Sequence, residues 1–467
     1  MERISRGILG YGVGFIGQAS IYNCVTTYFV VYMTNCVGIK SSLAGTIMAV
    51  ALFIEVIAGM AVGNYSDQCT SKLGKRRPFI LAATIAMPII MVLMFTTIKA
   101  SAGLTFCYYL IISIFFRMTF STFEIPNNAF GAEIARGYDE RTILRTTSRV
   151  FSIIGSFIAF VAPLWIQGMF HNDLAKSWQI TGIALSAVCF ASWMTCFTMT
   201  KGYSAPAEER KSSGKHGMAS GIVKDYIELC KLRSMRLLII YKAAFSCGYS
   251  LYNFAMIYYL KYNVGIENKV ISYLFYVTIA VFIIATPFAN KSALKVGKSR
   301  QQFAMLALSG GAALIIFFAG KNTVAGAAAY VIVFSLMQTT FWQLSPSIFY
   351  DIVEVDEFVY GKRRAGDIVS LVSVLGTLIS AIIVQLFGIL LENSGFDSTL
   401  VQQPGSAQMF LTVSYILIPG ICLIIGAISL KKFPINKVTF DILTDAVRKK
   451  REGHDYSEYN EVISKMI

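Results

Sequence analysis

Charge is scarce in this 467-residue chain: Asp, Glu, Lys and Arg together make up 14% of it, against roughly 25% in soluble domains. A soluble protein of this length is expected to form two or three domains with polar surfaces, and there is too little charge here to cover them. Histidine is scarcer still, with His171, His216 and His454 all in loops or the tail. No metal-ligand spacing and no nucleophile motif accompanies them, which argues against an integral-membrane enzyme, a cofactor or a resident metal. The nine cysteines are an odd number and fall mostly inside apolar runs. Cys36 alone sits near an outer face, so no disulfide framework follows and small apolar packing is expected. A cleavable signal peptide is missing too, because the first apolar run is too long and no A-x-A-like site follows it. The net charge of +15 is not laid along one face, as nucleic-acid binding would need. It sits in loops, and no nucleic-acid partner is expected.

What the chain has in abundance is apolar sequence, 55% of its residues. Stretches of about twenty residues cross a hydrocarbon core of about 30 Å, and twelve such runs are present. They cover 9–38, 43–63, 79–98, 103–131, 150–168, 179–200, 237–262, 269–290, 302–320, 323–350, 367–392 and 408–430. With the N-terminus inside, only Lys40, Lys99, Lys176, Lys261, Lys269 and Lys321 lie outside, and Arg117 and Lys242 lie within spans. The other basic residues fall on the inner side, which predicts both termini in the cytoplasm.

The halves of the chain resemble each other. Lys72-Leu73-Gly74-Lys75-Arg76-Arg77 and Lys295-Val296-Gly297-Lys298-Ser299-Arg300 share the pattern K-x-G-K-x-R between two apolar runs. Tyr138-Asp139-Glu140-Arg141 is echoed by Tyr360-Gly361-Lys362-Arg363, each after a proline inside an apolar run, Pro126 or Pro346. Parallel repeats of half the chain length predict two membrane bundles with a substrate site near the bilayer midplane. A transporter is expected. The segment 201–236, with Ser204-Ala205-Pro206 and Ser212-Ser213-Gly214, reads as a cytoplasmic joint between bundles 1–200 and 237–431. In the tail, 432–467, Val438, Ile442, Leu443, Ala446 and Val447 recur at helical spacing before Arg448-Lys449-Lys450-Arg451. This predicts an amphipathic helix near the inner membrane surface, its basic cluster meeting anionic lipid.

Several motifs together resemble one family, the glycoside–pentoside–hexuronide:cation symporters. Tyr11-Gly12-Val13-Gly14 and Tyr32-Met33-Thr34-Asn35-Cys36-Val37-Gly38 are similar to its first span, and Gly74-Lys75-Arg76-Arg77-Pro78 to its loop between spans two and three. Glu124-Ile125-Pro126 resembles its acid-Ile-Pro motif in span four. Phe341-Trp342 and the run from Asp351 to Arg364 resemble its tenth span and following loop. The resemblance covers nearly the whole chain. It implies an all-α membrane protein with the major facilitator fold, twelve transmembrane helices in two six-helix bundles. It also implies a monomeric carrier in the cytoplasmic membrane that imports a sugar or uronide with a coupling cation by alternating access. An amphiphile or lysolipid carrier on the same fold is the alternative.

Residue by residue, the resemblance departs at the cation site. Family members typically hold the cation with two carboxylates one turn apart on span two, helped by an Asn and by a hydroxyl on span four. Here the first acid is Glu55 and the hydroxyl is Ser121, but the second acid is Gly59 and the Asn is Ala58. One carboxylate and one hydroxyl make a poor sodium cage. A lone carboxylic acid in a low-dielectric cavity is disfavoured in its charged form and exchanges a proton instead. Proton coupling through Glu55, with Glu124 as second candidate, is therefore expected over sodium coupling or uncoupled transport. Intramembrane acids are functional by default; the bland reading of Glu55 is a fixed strut to a neighbouring cation.

Melibiose-carrying members grip sugar hydroxyls with acids on spans one and four. The first position is Ala19 here, beside Gln18, and the second is Glu124. Asn128 stands where those members have a Trp, Arg149 at the sugar-facing arginine, and Trp342 at the span-ten tryptophan. Carboxylate and guanidinium suit adjacent hydroxyls, and an aromatic ring suits a sugar's C–H face. Interfacial anchoring of Trp342, gate closure by Arg149 and helix bonding by Gln18 and Asn128 are the structural alternatives. Arg117 lies seven residues before Glu124, on the same face of span four with Ser121 between them. Lys242, near a span's inner end, either faces the cavity or snorkels. Three cations (Arg117, Arg149, Lys242) against two acids tilt the cavity toward an anionic substrate. At the cytoplasmic gate, Asp67 with Lys72, Lys75, Arg76 and Arg77 is expected to pair with helix ends, alongside Arg141 and Arg363. The second-half loop has Asn290 or Lys291 in place of the acid, and the acid-rich loop with Asp351, Glu354, Asp356 and Glu357 is expected to supply partners.

Overall fold

The computed structural model describes the chain apart from residues 1, 70, 72, 99, 135–137, 171–172, 204–219, 363, 401, 453, 456, 460–462, 465 and 467. The described residues form helices joined by turns and loops, without a strand. In order they form α1 (Glu2–Tyr32), α2 (Ser41–Gln68), α3 (Arg77–Met94), α4 (Ala102–Ile134), α5 (Tyr138–Met169), α6 (Leu174–Met199), α7 (Ser220–Lys231) and α8 (Arg233–Tyr258). There follow α9 (Asn268–Val296), α10 (Lys298–Ala319), α11 (Val324–Tyr360), α12 (Ala365–Asn393), α13 (Gly405–Thr412), α14 (Ile418–Lys431) and α15 (Lys437–Glu452). Ten segments are long and apolar enough to cross a membrane, counting α13 and α14 as one through the π-helical turn Val413–Leu417. With α1 and α8, which have the length but more polar residues, the helices match the twelve expected runs.

Backbone groups in lipid must be satisfied within the segment, so helix is the form these apolar runs take. Pro88, Pro126, Pro163, Pro287 and Pro346 all lie inside helices, as membrane helices tolerate. Two helices run well beyond the apolar signal. α5 begins at Tyr138 rather than near residue 150, and α11 continues to Tyr360 rather than ending near 350. At 1.5 Å per residue the 37 residues of α11 span about 55 Å, far more than the hydrocarbon core. Asp351, Glu354, Asp356 and Glu357 are therefore on a projecting helix and not in a loop. Gly361 ends that helix at φ 66°, a left-handed cap that suits glycine.

The chain divides into two compact units. The first comprises Met1–Arg210, Asn253–Ile279 and Ala381–Leu411. Within it, α1 packs on α5 and α6 through small residues: a Cβ at Gly155 would come within 2.3 Å of the Ile16 carbonyl oxygen, and one at Gly10 within 2.4 Å of Met199 Cβ. α2 and α12 touch backbone to backbone, since a Cβ at Gly388 would lie 2.3 Å from the Ser41 carbonyl oxygen and one at Gly45 2.9 Å from that of Val384. Around this contact Thr34 bonds to the Tyr258 hydroxyl at 2.6 Å, Asn35 donates to Tyr262 at 3.1 Å, and the Ser42 hydroxyl donates to Glu392.

The second unit comprises Lys211–Tyr252, Ala280–Ser380 and Thr412–Ile467. α10 and α14 approach through Gly310 and Gly420. In the expected joint, residues 204–219, with Ser204-Ala205-Pro206 and Ser212-Ser213-Gly214, lie outside the described residues, and from Ser220 the chain forms the amphipathic α7 and the start of α8. The tail helix α15 turns Leu443, Ala446 and Val447 inward, where they are buried. Its basic cluster meets protein: Lys450 donates to the Phe358 carbonyl at 2.5 Å, Arg451 to Glu357 at 2.6 Å, Arg448 pairs with Asp445 and Lys449 with Glu458. Of these partners Glu357 and the Phe358 carbonyl belong to the projecting end of α11, whereas Asp445 and Glu458 belong to the tail itself.

Candidate functional site

α4 is the spine of a charged cluster in the first unit. Arg117, Ser121 and Glu124 stand at i, i+4 and i+7, so they share one face. α2 brings Glu55 to that face, and Arg117 Nη1 donates to Glu55 Oε2 at 3.1 Å. The arginine side chain is 2% exposed and the glutamate 15%, so the pair is held away from solvent. The Tyr22 ring centroid lies 5.6 Å and that of Phe116 5.7 Å from the guanidinium carbon. Tyr22 in turn packs on Phe120 at 5.2 Å. α1 also supplies Gln18, whose Nε2 donates to Glu124 Oε1 at 3.0 Å. The Gln18 carbonyl oxygen is buried and accepts no hydrogen bond among the described residues. Ser121 is buried beside them.

Glu55, Arg117, Ser121, Glu124 and Gln18 are thus gathered by three helices, α1, α2 and α4. Glu55 is not alone: its partner is Arg117. Gly59, one turn further on α2, faces α4, where a Cβ would meet Ile125 Cδ1 at 3.1 Å. A second carboxylate there would have to displace Ile125. Asn128 is exposed, whereas its neighbour Asn127 is fully buried and accepts from the Cys196 thiol at 3.7 Å. Arg149 is half-buried within α5, well inside the helix because α5 starts early. Tyr22 was not singled out from the sequence, although it lies four residues after Gln18 on the same face of α1. A small cavity in this unit, lined by Tyr28, Asn35, Gln167, Trp178, Lys261 and Asn268, lies toward the Asn35 end of α1 and holds none of the cluster.

In the second unit Trp342 stands edge-on to Phe245, Tyr249 and Phe341, with centroids 6.0, 5.8 and 5.4 Å away. The indole is supported on its edges and remains 44% exposed. Lys242 of α8 lies next to it, 5.7 Å from its centroid.

The expected gate residues separate. Arg77 is buried at the start of α3, donates from Nη2 to the Phe197 carbonyl at 2.8 Å and lies 4.2 Å from the Phe197 ring. It braces the end of α6. Lys75 and Arg76 are half-buried in the loop after α2. Asp67 and Arg141 lie on helices, but their side chains fall outside the described residues, as do Lys72 and Arg363 altogether. In the second unit Lys298 donates to Asp351 at 2.6 Å and to the Ser347 carbonyl at 3.0 Å. Arg364, next to the expected Arg363, forks onto Asp356 at 2.5 and 3.1 Å and reaches Asp225 and Glu228 of α7 at 2.7 and 2.8 Å. Lys362 joins both acids of α7, at 3.2 and 3.1 Å. The hydrogen bond from Arg364 holds the Asp225 carboxyl below its usual range, and that from Lys362 does the same for Glu228.

The described residues thus form an all-helical protein with a charged cluster buried among three membrane-spanning helices. Solved structures agree on the fold: a D-xylose–proton symporter superposes with a TM-score of 0.62 at 14% identity, covering 92% of this chain and 96% of that one. The nucleoside transporter NupG superposes with a TM-score of 0.66 at 14% identity, covering 91% and 99%. The family model for MFS/sugar transport protein matches residues 10–437, and the chain belongs to that family. It is an integral membrane transporter and not an enzyme. Among curated relatives, the chain is 24% identical to the inner membrane symporter YicJ of Escherichia coli strain K12, over 91% of this chain and 90% of the relative. It is 20% identical to the isoprimeverose transporter of Lactiplantibacillus pentosus, over 92% and 88%. With a putative sulfoquinovose importer of Escherichia coli strain K12 it shares 22% identity over 95% and 93%.

Proposed function

We propose that this protein is a proton-coupled importer of a glycoside, pentoside or hexuronide. It works by alternating access as a monomer in the cytoplasmic membrane, with both termini inside. The relatives named for isoprimeverose and sulfoquinovose support a sugar as cargo. The observation that carries the coupling is the Arg117–Glu55 pair at 3.1 Å, with Glu124 on the same face of α4. A proton arriving at Glu55 removes the charge that holds Arg117. The guanidinium is then free to turn along α4 toward Glu124, or to donate to hydroxyls of an incoming sugar. Loss of the proton restores the pair and withdraws the donor. Substrate contacts are assigned to Gln18, whose carbonyl oxygen lacks a donor, to Glu124 and Arg149, and to the open face of Trp342. Sodium is a poor fit, because hard cations need several oxygens and Gly59 supplies none.

Proteoliposomes with imposed proton or sodium gradients test this. Uphill sugar accumulation should follow the proton gradient and be indifferent to sodium. Glu55→Gln should lose accumulation while exchange of substrate across the membrane persists. Strong sodium stimulation at fixed pH would overturn proton coupling, and undiminished accumulation by the variant would move it to Glu124.

A further inference from the structure

Lys242, like Arg149, is a span cation outside the coupling cluster. It stands five residues inside the apolar run 237–262, or about 7.5 Å along the helix axis. Aromatic rings from two helices surround its ammonium: Phe245 of α8 at 6.0 Å, and Phe341 and Trp342 of α11 at 5.3 and 5.7 Å to the ring centroids. α12 closes the remaining side with Gly376, where a Cβ would come 2.7 Å from Lys242 Cε and 3.2 Å from Nζ. Ser246 and Ser250 continue a polar stripe along α8 at i+4 and i+8, and Ser250 bonds to Ser380 of α12 at 2.8 Å.

Among the described residues no carboxylate lies within 4.0 Å of this ammonium. By the same distance Arg117 has Glu55, Lys298 has Asp351, and Lys362 and Arg364 have the acids of α7. Ring faces attract an ammonium but do not neutralise it. A cation within a span, ringed by aromatics and without an acid of its own, marks a place where a charge arrives from elsewhere.

We infer that Lys242 receives an acid group carried by the transported sugar, a carboxylate or a sulfonate, while Trp342 packs on the sugar ring that bears it. The inference rests on the sugar-transport reading above and narrows its cargo to acidic sugars. The exposed indole offers the apolar surface that a sugar's C–H face requires, and Nζ lies 5.7 Å from its centre, within reach of a substituent on a stacked ring. Discrimination follows from the missing counter-charge. An acidic sugar completes the cluster, whereas a neutral analogue occupies the same surface and leaves the ammonium unpaired.

Methyl glycosides of the gluco and galacto series, each as the neutral sugar, the 6-carboxylate and the 6-sulfonate, provide the probe. In proteoliposomes of the full-length protein, uptake of an acidic form should exceed that of its neutral parent by about tenfold or more in kcat/KM. The two acid arms report which group fits. Lys242→Met should bring the ratio near one, and Lys242→Arg should keep part of it. Gly376→Ala, which crowds Cε without removing charge, should also lower the ratio, and it serves if Lys242→Met does not fold. A wild-type ratio at or below one overturns the inference while leaving sugar transport standing. So does a ratio unchanged in both Lys242→Met and Gly376→Ala. If Lys242→Met keeps the ratio and loses proton-driven accumulation, the lysine carries protons and the inference fails. Uptake of none of these sugars overturns both the inference and the reading beneath it.

Discussion

Arg117 in the first unit and Lys242 in the second are both cations on helices that span the membrane, and their surroundings are opposite. Arg117 is sealed, 2% exposed, with a carboxylate in hydrogen-bond contact and Tyr22 and Phe116 alongside. Lys242 is half-buried among three rings, with glycine in place of a fourth neighbour. A charge pair inside the protein responds to whatever changes one partner's charge, and a proton does so most simply. An ammonium without an acid responds to an incoming anion. On the proposals above, the pair in the first unit serves coupling, and the lone ammonium in the second serves recognition of an acid group.

The largest effect should come from breaking the sealed pair. Arg117→Met alone leaves Glu55 buried without its counter-charge and should destabilise the first unit by about 3–5 kcal/mol. Adding Glu55→Leu should recover most of that loss, because two apolar side chains carry no stranded charge. Thermal unfolding in detergent reads both; a single variant as stable as wild type would mean the pair is not sealed. Next comes Arg77, a buried cation whose Nη2 bonds to a carbonyl instead of an acid while its Nη1 has no partner among the described residues. Arg77→Met should cost about 1.5–3 kcal/mol through loss of its charge-assisted bond to Phe197, measured the same way, with substrate affinity unchanged. Smaller again is Trp342→Ala, which should weaken sugar binding by about 1 kcal/mol with little change in stability. Equal affinity in a direct binding assay would remove the indole from the site.

The smallest effect concerns pH at the α7 network, where acids and cations are paired near water. Asp225 and Glu228 are held below their usual carboxylate range by Arg364 and Lys362. A depressed carboxyl contributes stability that is present above its unfolded value, about 4, and is lost as pH falls through the folded value. A spin label at Ile227→Cys, on the exposed side of α7, should therefore report the same docked helix from pH 8 to pH 5 and growing mobility only in stronger acid. Mobility rising already near pH 6 would show that the network does not hold the helix.

Much of this architecture is legible in the sequence, because lipid leaves apolar runs few options. The face of α4 bearing Arg117, Ser121 and Glu124 follows from helical spacing alone. That Arg117 meets Glu55 does not, since the contact joins two helices and no periodicity within either encodes it. Helix ends are hidden where charge appears: Asp351, Glu354, Asp356 and Glu357 look like a loop on a hydropathy scale, yet charge alone does not end a helix once it leaves the bilayer, and α11 runs on to Tyr360. Arg77 reads as one of a basic run, and only its packing on Phe197 separates it from Lys75 and Arg76. Asn127 and Asn128 differ by one position, about 100° around the helix. One is buried and the other exposed, a distinction that needs the neighbouring helix α6.

The backbone contact between Gly45 of α2 and Gly388 of α12 has a kinetic consequence. Where side chains interlock, separation requires rotamers to change and rejoining requires them to be found again. Here neither Gly45 nor Gly388 presents a side chain at the point of closest approach. Nothing has to be frozen when the surfaces meet, and no rotamer entropy is lost. Opening such a contact would need no rotamer change at the two glycines, and it would break the polar bonds around it, Thr34 to Tyr258 and Ser42 to Glu392.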